Sequence, residues 1–141
     1  MQQYISLGHD EAQAAIQAIK AEMLNRGVAA VIAVADAHGE ILGLLRLNGA
    51  KPASILIAAN KAWTAARERA PSGDLGRLAR DPQDGFDMAY FGDARYIGWG
   101  GGLPVVIDGA VTGAVAVSGL TEKEDTELAQ FGVAAILAAV K

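Results

Sequence analysis

Residues 98–120, GWGGGLPVVIDGAVTGAVAVSGL, decide the fold of this 141-residue chain. Asp108-Gly109 stands between two apolar runs, and this pattern predicts a β-hairpin because both central residues of a type I′ turn need φ > 0. Four of the five residues 98–102 are glycine, which leaves backbone amides uncovered and lets a ligand approach closely. The stretch therefore predicts a glycine-rich loop followed by two paired strands, at 103–107 and 111–118.

Outward from the hairpin, apolar residues recur at helical spacing in three segments. Ser6 is the predicted N-cap of the first helix, which ends at Gly27. Ser54 is the predicted N-cap of the second helix, which runs to about Arg69. The last helix has the clearest start, because residues 121–124 read TEKE and fit a capping box.

Two further apolar runs predict strands at 28–35 and 41–47, and a short strand is also predicted at 95–97. The first two are joined by a turn at 36–39, which makes a second hairpin. Prolines and glycines interrupt residues 70–94, and this segment is predicted to be a long, partly ordered loop with one or two short helical turns. Because hairpins join the strands, the expected fold is α+β, with a mainly antiparallel five-stranded sheet in the order α-β-β-α-β-β-β-α.

Composition limits the class of protein. The length predicts a single domain spanning residues 1–141, and the formal net charge of −4 argues against a nucleic-acid partner. The apolar runs are too short for a membrane span, and the N-terminus lacks the features of a secretory signal, so we expect a cytoplasmic protein. The absence of cysteine excludes disulfides and thiolate chemistry. A hydrophobic fraction of 52% favours a homo-oligomer.

The sequence also resembles a known family. The matching stretches are DAHG at 36–39, AANKA at 58–62, GGLPV at 101–105, DG at 108–109 and VSG at 117–119. Together they are similar to the GlcG/HbpS family of haem-degrading-domain proteins, which includes the C-terminal domain of PduO-type adenosyltransferases. The resemblance covers nearly the whole length. It implies a profilin-like fold with a five-stranded antiparallel sheet flanked by helices, and it implies that the protein forms multimers. Some members bind haem, so haem or a related tetrapyrrole is the implied cofactor.

A binding site for a small ligand is predicted around the glycine-rich loop. Consecutive glycine amides can form a nest for a carboxylate, aromatic residues can supply a flat wall for a ring, and an arginine can meet a carboxylate. A histidine in the first turn of helix one can ligate a haem iron through its neutral imidazole, although it also suits a surface position. The predicted ligand-binding residues are Trp99, Gly100, Gly101, Gly102, Arg95, Tyr96 and His9, with His9 as the metal ligand.

A second hypothesis makes the chain a small enzyme that needs no cofactor. Lys61 lies in an alanine-rich helical run near the buried stripe, where a lysine either reaches the surface or pairs with a carboxylate. Asp36 ends the first predicted strand and either caps the turn or acts as a base beside Lys61. In this hypothesis Lys61 and Asp36 are the acid and base, and the amides of Gly100–Gly102 hold an anionic group. The substrate is then a carboxylate- or carbonyl-bearing metabolite of a catabolic reaction.

Overall fold

The computed structural model describes residues 1–140, and in that range the fold is α+β, as the sequence predicts. The elements are α1 (His9–Arg26), β1 (Val31–Asp36), β2 (Ile41–Arg46), α2 (Ala53–Glu68), α3 (Ser72–Ala79), a 3₁₀ helix (Met88–Phe91), β3 (Gly102–Ile107), β4 (Ala110–Ser118) and α4 (Glu122–Ala139).

Four strands of the described residues form one antiparallel sheet in the order β2-β1-β4-β3. The prediction of a fifth strand at 95–97 is wrong, because the backbone there bonds to a side chain of α2. The hydroxyl of Thr64 donates to the carbonyl of Arg95 at 3.2 Å and accepts from the amide of Ile97 at 3.1 Å. A helix side chain thus takes the hydrogen bonds that a neighbouring strand would otherwise supply.

The hairpin between β3 and β4 forms as predicted. Its central residues, Asp108 and Gly109, have φ values of 50° and 79°, which is the left-handed pair that a type I′ turn requires. The hairpin makes β3 an edge strand and places β4 beside the central strand β1. The end of β4 and the start of β3 therefore lie at the same end of the sheet.

Helices cover both faces of the sheet. α1 and α4 pack on one face around a core that includes the fully buried Ile19 and Leu128. α2 packs on the other face through small residues, among them Ala58 and Ala62, which contact alanines of β1 and β4. Because these side chains are short, α2 lies close to the sheet and brings Lys61 against the end of β4.

The predicted start of α1 is wrong by two residues. Gly8 is the N-cap, and its N–H donates to the carboxylate of Glu11 at 2.9 Å. Ser6 instead uses its hydroxyl oxygen to accept from the amide of Ala37 at 3.0 Å. Ser6 therefore ties the N-terminal segment to the first hairpin rather than capping the helix.

The predicted start of α2 is also wrong, whereas that of α4 is confirmed. Pro52 is the N-cap of α2, so Ser54 lies inside the first turn with its side chain towards the sheet and is 5% exposed. Proline suits this position because the first turn has no use for its missing N–H. At α4, the hydroxyl of Thr121 accepts from the amide of Glu124 at 3.2 Å, as the capping box requires.

The segment 70–94 contains more helix than the sequence predicts. It includes the eight-residue helix α3 as well as the 3₁₀ turn. Gly76 of α3 lies directly against the glycine-rich loop, where a β-carbon on it would come within 2.0 Å of the carbonyl oxygen of Gly98. Two of the glycines that interrupt this segment, Gly73 and Gly76, are thus places where α3 touches the loop, and that contact positions the candidate site.

Candidate ligand-binding cleft

The amides of the glycine-rich loop bind oxygen atoms of the protein itself. The N–H of Gly100 donates to the carboxylate of Glu122 at 2.8 Å, and the N–H of Gly102 donates to the hydroxyl oxygen of Ser72 at 3.0 Å. Ser72 in turn donates to the carbonyl of Trp99 at 2.7 Å. The predicted cradle at Gly100–Gly102 is therefore corrected: two of its three amides are already engaged and hold the loop in place.

The glycines also allow close packing around a lysine. Gly101 has φ +124°, and a β-carbon on it would lie 2.6 Å from the carbonyl oxygen of Val117 and 2.9 Å from Nζ of Lys61. At Gly102 a β-carbon would meet the backbone carbonyl of Lys61 at 2.4 Å. A side chain at either position would displace Lys61 or the backbone around it.

Lys61 and Asp125 form a buried ion pair beneath the loop. Nζ of Lys61 donates to Oδ2 of Asp125 at 3.0 Å and to the carbonyl oxygen of Val117 at 3.1 Å. Oδ1 of Asp125 accepts from the amide of Leu120 at 3.1 Å. Both residues of the pair are only 2% exposed. Burial raises the pKa of Asp125, and the charge of Lys61 opposes that rise.

A cavity of about 350 Å³ opens above this ion pair. It lies between the first half of α2, the indole of Trp99 and the connection from β4 to α4. Trp99 is 55% exposed and forms one wall. We call this cavity the Lys61 cleft; its lining includes Lys51, Ser54, Ile57, Lys61, Trp99, Ser118, Glu122 and Asp125.

Arg95 and Tyr96 belong to a different cluster, around the buried Trp63. The guanidinium of Arg95 lies 4.3 Å from the Trp63 ring centre, and the ring of Tyr96 meets Trp63 edge-on at 4.7 Å. Arg95 also pairs with Asp93 at 2.9 Å, and this contact holds the pKa of Asp93 at about 2. The structure therefore separates these two predicted ligand residues from Trp99 and the Lys61 cleft.

His9 lies at the opposite end of the sheet from Trp99. Near His9, the amide of Leu7 donates to the carbonyl of Thr112 at 2.9 Å, whereas the glycine-rich loop contacts β4 at Val117. These two β4 positions are five residues apart, which is roughly 17 Å along a strand. The imidazole of His9 is 90% exposed. Within one chain, His9 therefore cannot ligate an iron that lies against Trp99.

Asp36 is also distant from Lys61. Oδ1 of Asp36 accepts from the amides of His38 and Glu40 at 2.9 and 3.0 Å, so its carboxylate caps the first hairpin turn. Asp36 pairs with Gly113 across the sheet, about 13 Å along β4 from the position that Lys61 contacts. The expectation that Asp36 pairs with Lys61 is wrong, and the buried carboxylate beside this lysine is Asp125.

Three residues of the cleft, Asp125, Ser54 and Ser118, are not among the site residues predicted from the sequence. Asp125 is 64 residues from Lys61 along the chain, and nothing local connects them. Ser54 had a usable signal, because it precedes Lys61 by seven residues. Seven residues make about two helical turns, so both side chains belong to the stripe of α2 that faces the sheet.

Two features are absent from residues 1–140. No group of three or more His, Asp or Glu side chains there is arranged to hold a metal ion. None of the helices in that range is both long and apolar enough to cross a lipid bilayer.

The chain belongs to the family of HbpS-like haem-degrading proteins, whose family model matches residues 7–134. A 15.0 kDa protein encoded between dhaT and dhaS in Citrobacter freundii is 34% identical over 114 residues, which are 81% of this chain and 80% of the relative. The GlcG protein of Escherichia coli K12 is 34% identical over 118 residues, or 84% of this chain and 85% of GlcG. The family predicted from the sequence motifs is thus confirmed.

Solved structures share the fold over nearly the whole chain. The ORFY protein of Klebsiella pneumoniae has a TM-score of 0.92 at 31% identity, covering 98% of this chain and 95% of that one. A double variant of HbpS from Streptomyces reticuli has a TM-score of 0.83 at 30% identity, covering 95% and 89%. A complex of PduOC with haem has a TM-score of 0.85 at 24% identity, covering 93% and 95%, and this likeness shows the fold alone.

Proposed function

We propose that the chain is a small-ligand-binding protein and that the Lys61 cleft is its ligand site. The observation that carries this proposal is an open cavity of about 350 Å³ whose floor is a buried ion pair and whose wall is an exposed indole. Such a volume falls within the range of roughly 300–1,000 Å³ that is typical of ligand sites. Concave sites of this kind use a few polar groups to orient a ligand and apolar surface to hold it.

Haem or a related tetrapyrrole is the first ligand class we propose, supported by the family and by the haem complex of PduOC. Its flat ring fits against the exposed face of Trp99, and its carboxylates fit near the ammonium group of Lys51. Among the cleft-lining residues there is no His, Met, Cys or Tyr to ligate the iron, so ligation by His9 does not fit. Bound haem would supply redox-active iron, and this chain would contribute the ring contact and the carboxylate partner.

Titration with hemin tests this proposal. We expect a saturable shift of the Soret band in the wild-type protein, with the affinity for hemin about fivefold lower in Trp99→Ala because an aromatic contact of this size is worth about 1 kcal/mol. Trp99→Phe is the matched control that keeps a flat ring and should bind nearly normally. His9→Ala should leave the titration unchanged. The absence of a saturable shift would refute haem as the ligand, and loss of binding in His9→Ala would refute the location.

A small enzyme acting on a carboxylate- or carbonyl-bearing metabolite is the second candidate. Lys61 favours it, because an ammonium group has three N–H donors and two of them are used by Asp125 and Val117. The third remains for a substrate in the cleft, and Asp125 is placed to exchange a proton with Lys61. In this version Asp125 replaces Asp36 as the acid–base partner. Turnover that survived Lys61→Ala intact would refute this role.

A further inference from the structure

Two hydroxyl groups in the Lys61 cleft have no hydrogen-bond partner among residues 1–140. Ser54 and Ser118 are 5% and 4% exposed, and both line the cavity. Neither hydroxyl makes a hydrogen bond to another of the described residues, yet neither is sealed from the cavity. Buried polar groups are normally hydrogen-bonded. These hydroxyls are therefore available to a ligand.

The two hydroxyls come from different elements at the same end of the sheet, and both residues line the same cavity. Ser54 lies in the first turn of α2, and Ser118 ends β4 on the face that α2 covers. Between them is Gly119, with φ +132°, where a β-carbon would lie 3.3 Å from Oγ of Ser54. Glycine at this turn keeps the space beside Ser54 free of a side chain.

Most of the buried groups in the cleft that can still form a hydrogen bond are donors. Both oxygens of Asp125 are engaged, by Lys61 and by the amide of Leu120, and Glu122 accepts from the loop. Oε2 of Glu122 is also free, but that side chain is exposed, so the buried groups left free among residues 1–140 are the third N–H of Lys61 and the two serine hydroxyls, with the exposed ammonium of Lys51 at the rim. A ligand that carries several acceptor oxygens close together would satisfy all of these donors.

We propose that the Lys61 cleft binds a small oxo- or hydroxycarboxylate. Its oxo or hydroxyl oxygen lies among Nζ of Lys61 and the hydroxyls of Ser54 and Ser118, and its carboxylate lies towards Lys51. The carbon skeleton contacts Ile57 and the indole of Trp99. This inference rests on the proposed function, because it assigns a ligand class to the same cleft.

Tryptophan fluorescence tests the proposal with pyruvate as the probe. The chain has two tryptophans; Trp99 lines the cleft, and Trp63 is 3% exposed in a separate cluster. We expect saturable quenching by pyruvate, and by lactate, with no saturable change on adding acetone, which lacks the carboxylate. Ser54→Ala and Ser118→Ala should each weaken pyruvate binding about tenfold, as expected for one lost hydrogen bond to a charged ligand. Ser6→Ala, at the other end of the sheet, should have no effect.

The outcomes separate this inference from the proposed function. No saturable quenching by pyruvate or lactate up to about 10 mM, a very weak affinity, would overturn the ligand class. Equal affinity in wild type and both serine variants would overturn the assignment of the hydroxyls. Hemin binding that persists in either case leaves the proposed function standing. Failure of hemin, pyruvate and lactate together overturns both proposals. Thermal melting of each variant confirms that it is folded.

Discussion

The two ends of the sheet carry similar polar residues that differ in burial and in hydrogen bonding. At the turn end, Asp36 caps its own hairpin and the exposed ring of His38 meets Tyr4 edge-on at 5.3 Å. At the cleft end, Lys61 and Asp125 are 2% exposed, and within the described part of the chain the hydroxyls of Ser54 and Ser118 have no hydrogen-bond partner. A carboxylate that accepts the hydrogen bonds of a turn has little hydrogen-bonding capacity left for a ligand. The candidate site therefore differs from the turn at Asp36 in two ways: its polar residues are buried, and some of their hydrogen bonds are unmet.

Breaking the buried pair should have the largest effect on stability. Lys61→Met leaves Asp125 as a buried carboxylate without its counter-ion, and we expect a loss of about 3 kcal/mol in the free energy of unfolding. At the turn end, Asp36→Ala removes two hydrogen bonds from a less buried site and should cost about 1 kcal/mol. Urea unfolding of both variants measures the contrast. Equal losses would contradict the difference between the two ends.

The loss in Lys61→Met should depend on pH. Burial already raises the pKa of Asp125, and removing Lys61 removes the charge that opposes the rise. The folded variant then holds a proton on Asp125 more readily than the unfolded chain does. That contribution to stability is complete below the unfolded pKa and is lost as pH rises through the folded pKa. The difference in free energy of unfolding between Lys61→Met and wild type should thus become smaller from neutral pH towards about pH 4. A difference that stays constant or grows would contradict a buried carboxylate.

Packing of the glycine-rich loop should give the next largest effect. Gly101→Ala places a methyl group 2.6 Å from the carbonyl oxygen of Val117 at φ +124°, and we expect a cost of about 2 kcal/mol. Gly109→Ala is the matched control, because its φ is +79° but no atom of residues 1–140 outside the turn itself lies within 4 Å of the added carbon. It should cost about 1 kcal/mol from backbone strain alone. Thermal unfolding in parallel checks the order; a costlier Gly109→Ala would refute the role of close packing.

Local signals in the sequence were sufficient for much of the fold. The turn at Asp108-Gly109 and the capping box at Thr121 involve neighbours in the chain, and both formed as predicted. The fifth strand failed because Thr64, about 30 residues away, bonds to the backbone of residues 95–97. No local pattern reports such a contact.

The candidate site was only partly predictable for the same reason. Trp99 and Lys61 stood out by residue type and position, and both line the cleft. The partner of Lys61 is fixed by how α4 packs against the sheet, so the sequence pattern indicated Asp36, at the end of the first predicted strand, and not Asp125. The imidazole of His9 is chemically suited to ligate an iron. Its position, however, depends on the end of the sheet at which α1 begins, and the local sequence does not indicate that end.

The most direct test of the ligand site is a map of amide chemical shifts. Zinc protoporphyrin is a diamagnetic probe with the same ring and carboxylates as haem, and it can be titrated into ¹⁵N-labelled protein. If the ligand binds in the Lys61 cleft, we expect amide chemical-shift changes at Ser54, Trp99 and Gly119 and none around His9 or His38. Changes concentrated around His9, with the amides of the Lys61 cleft unmoved, would contradict the account.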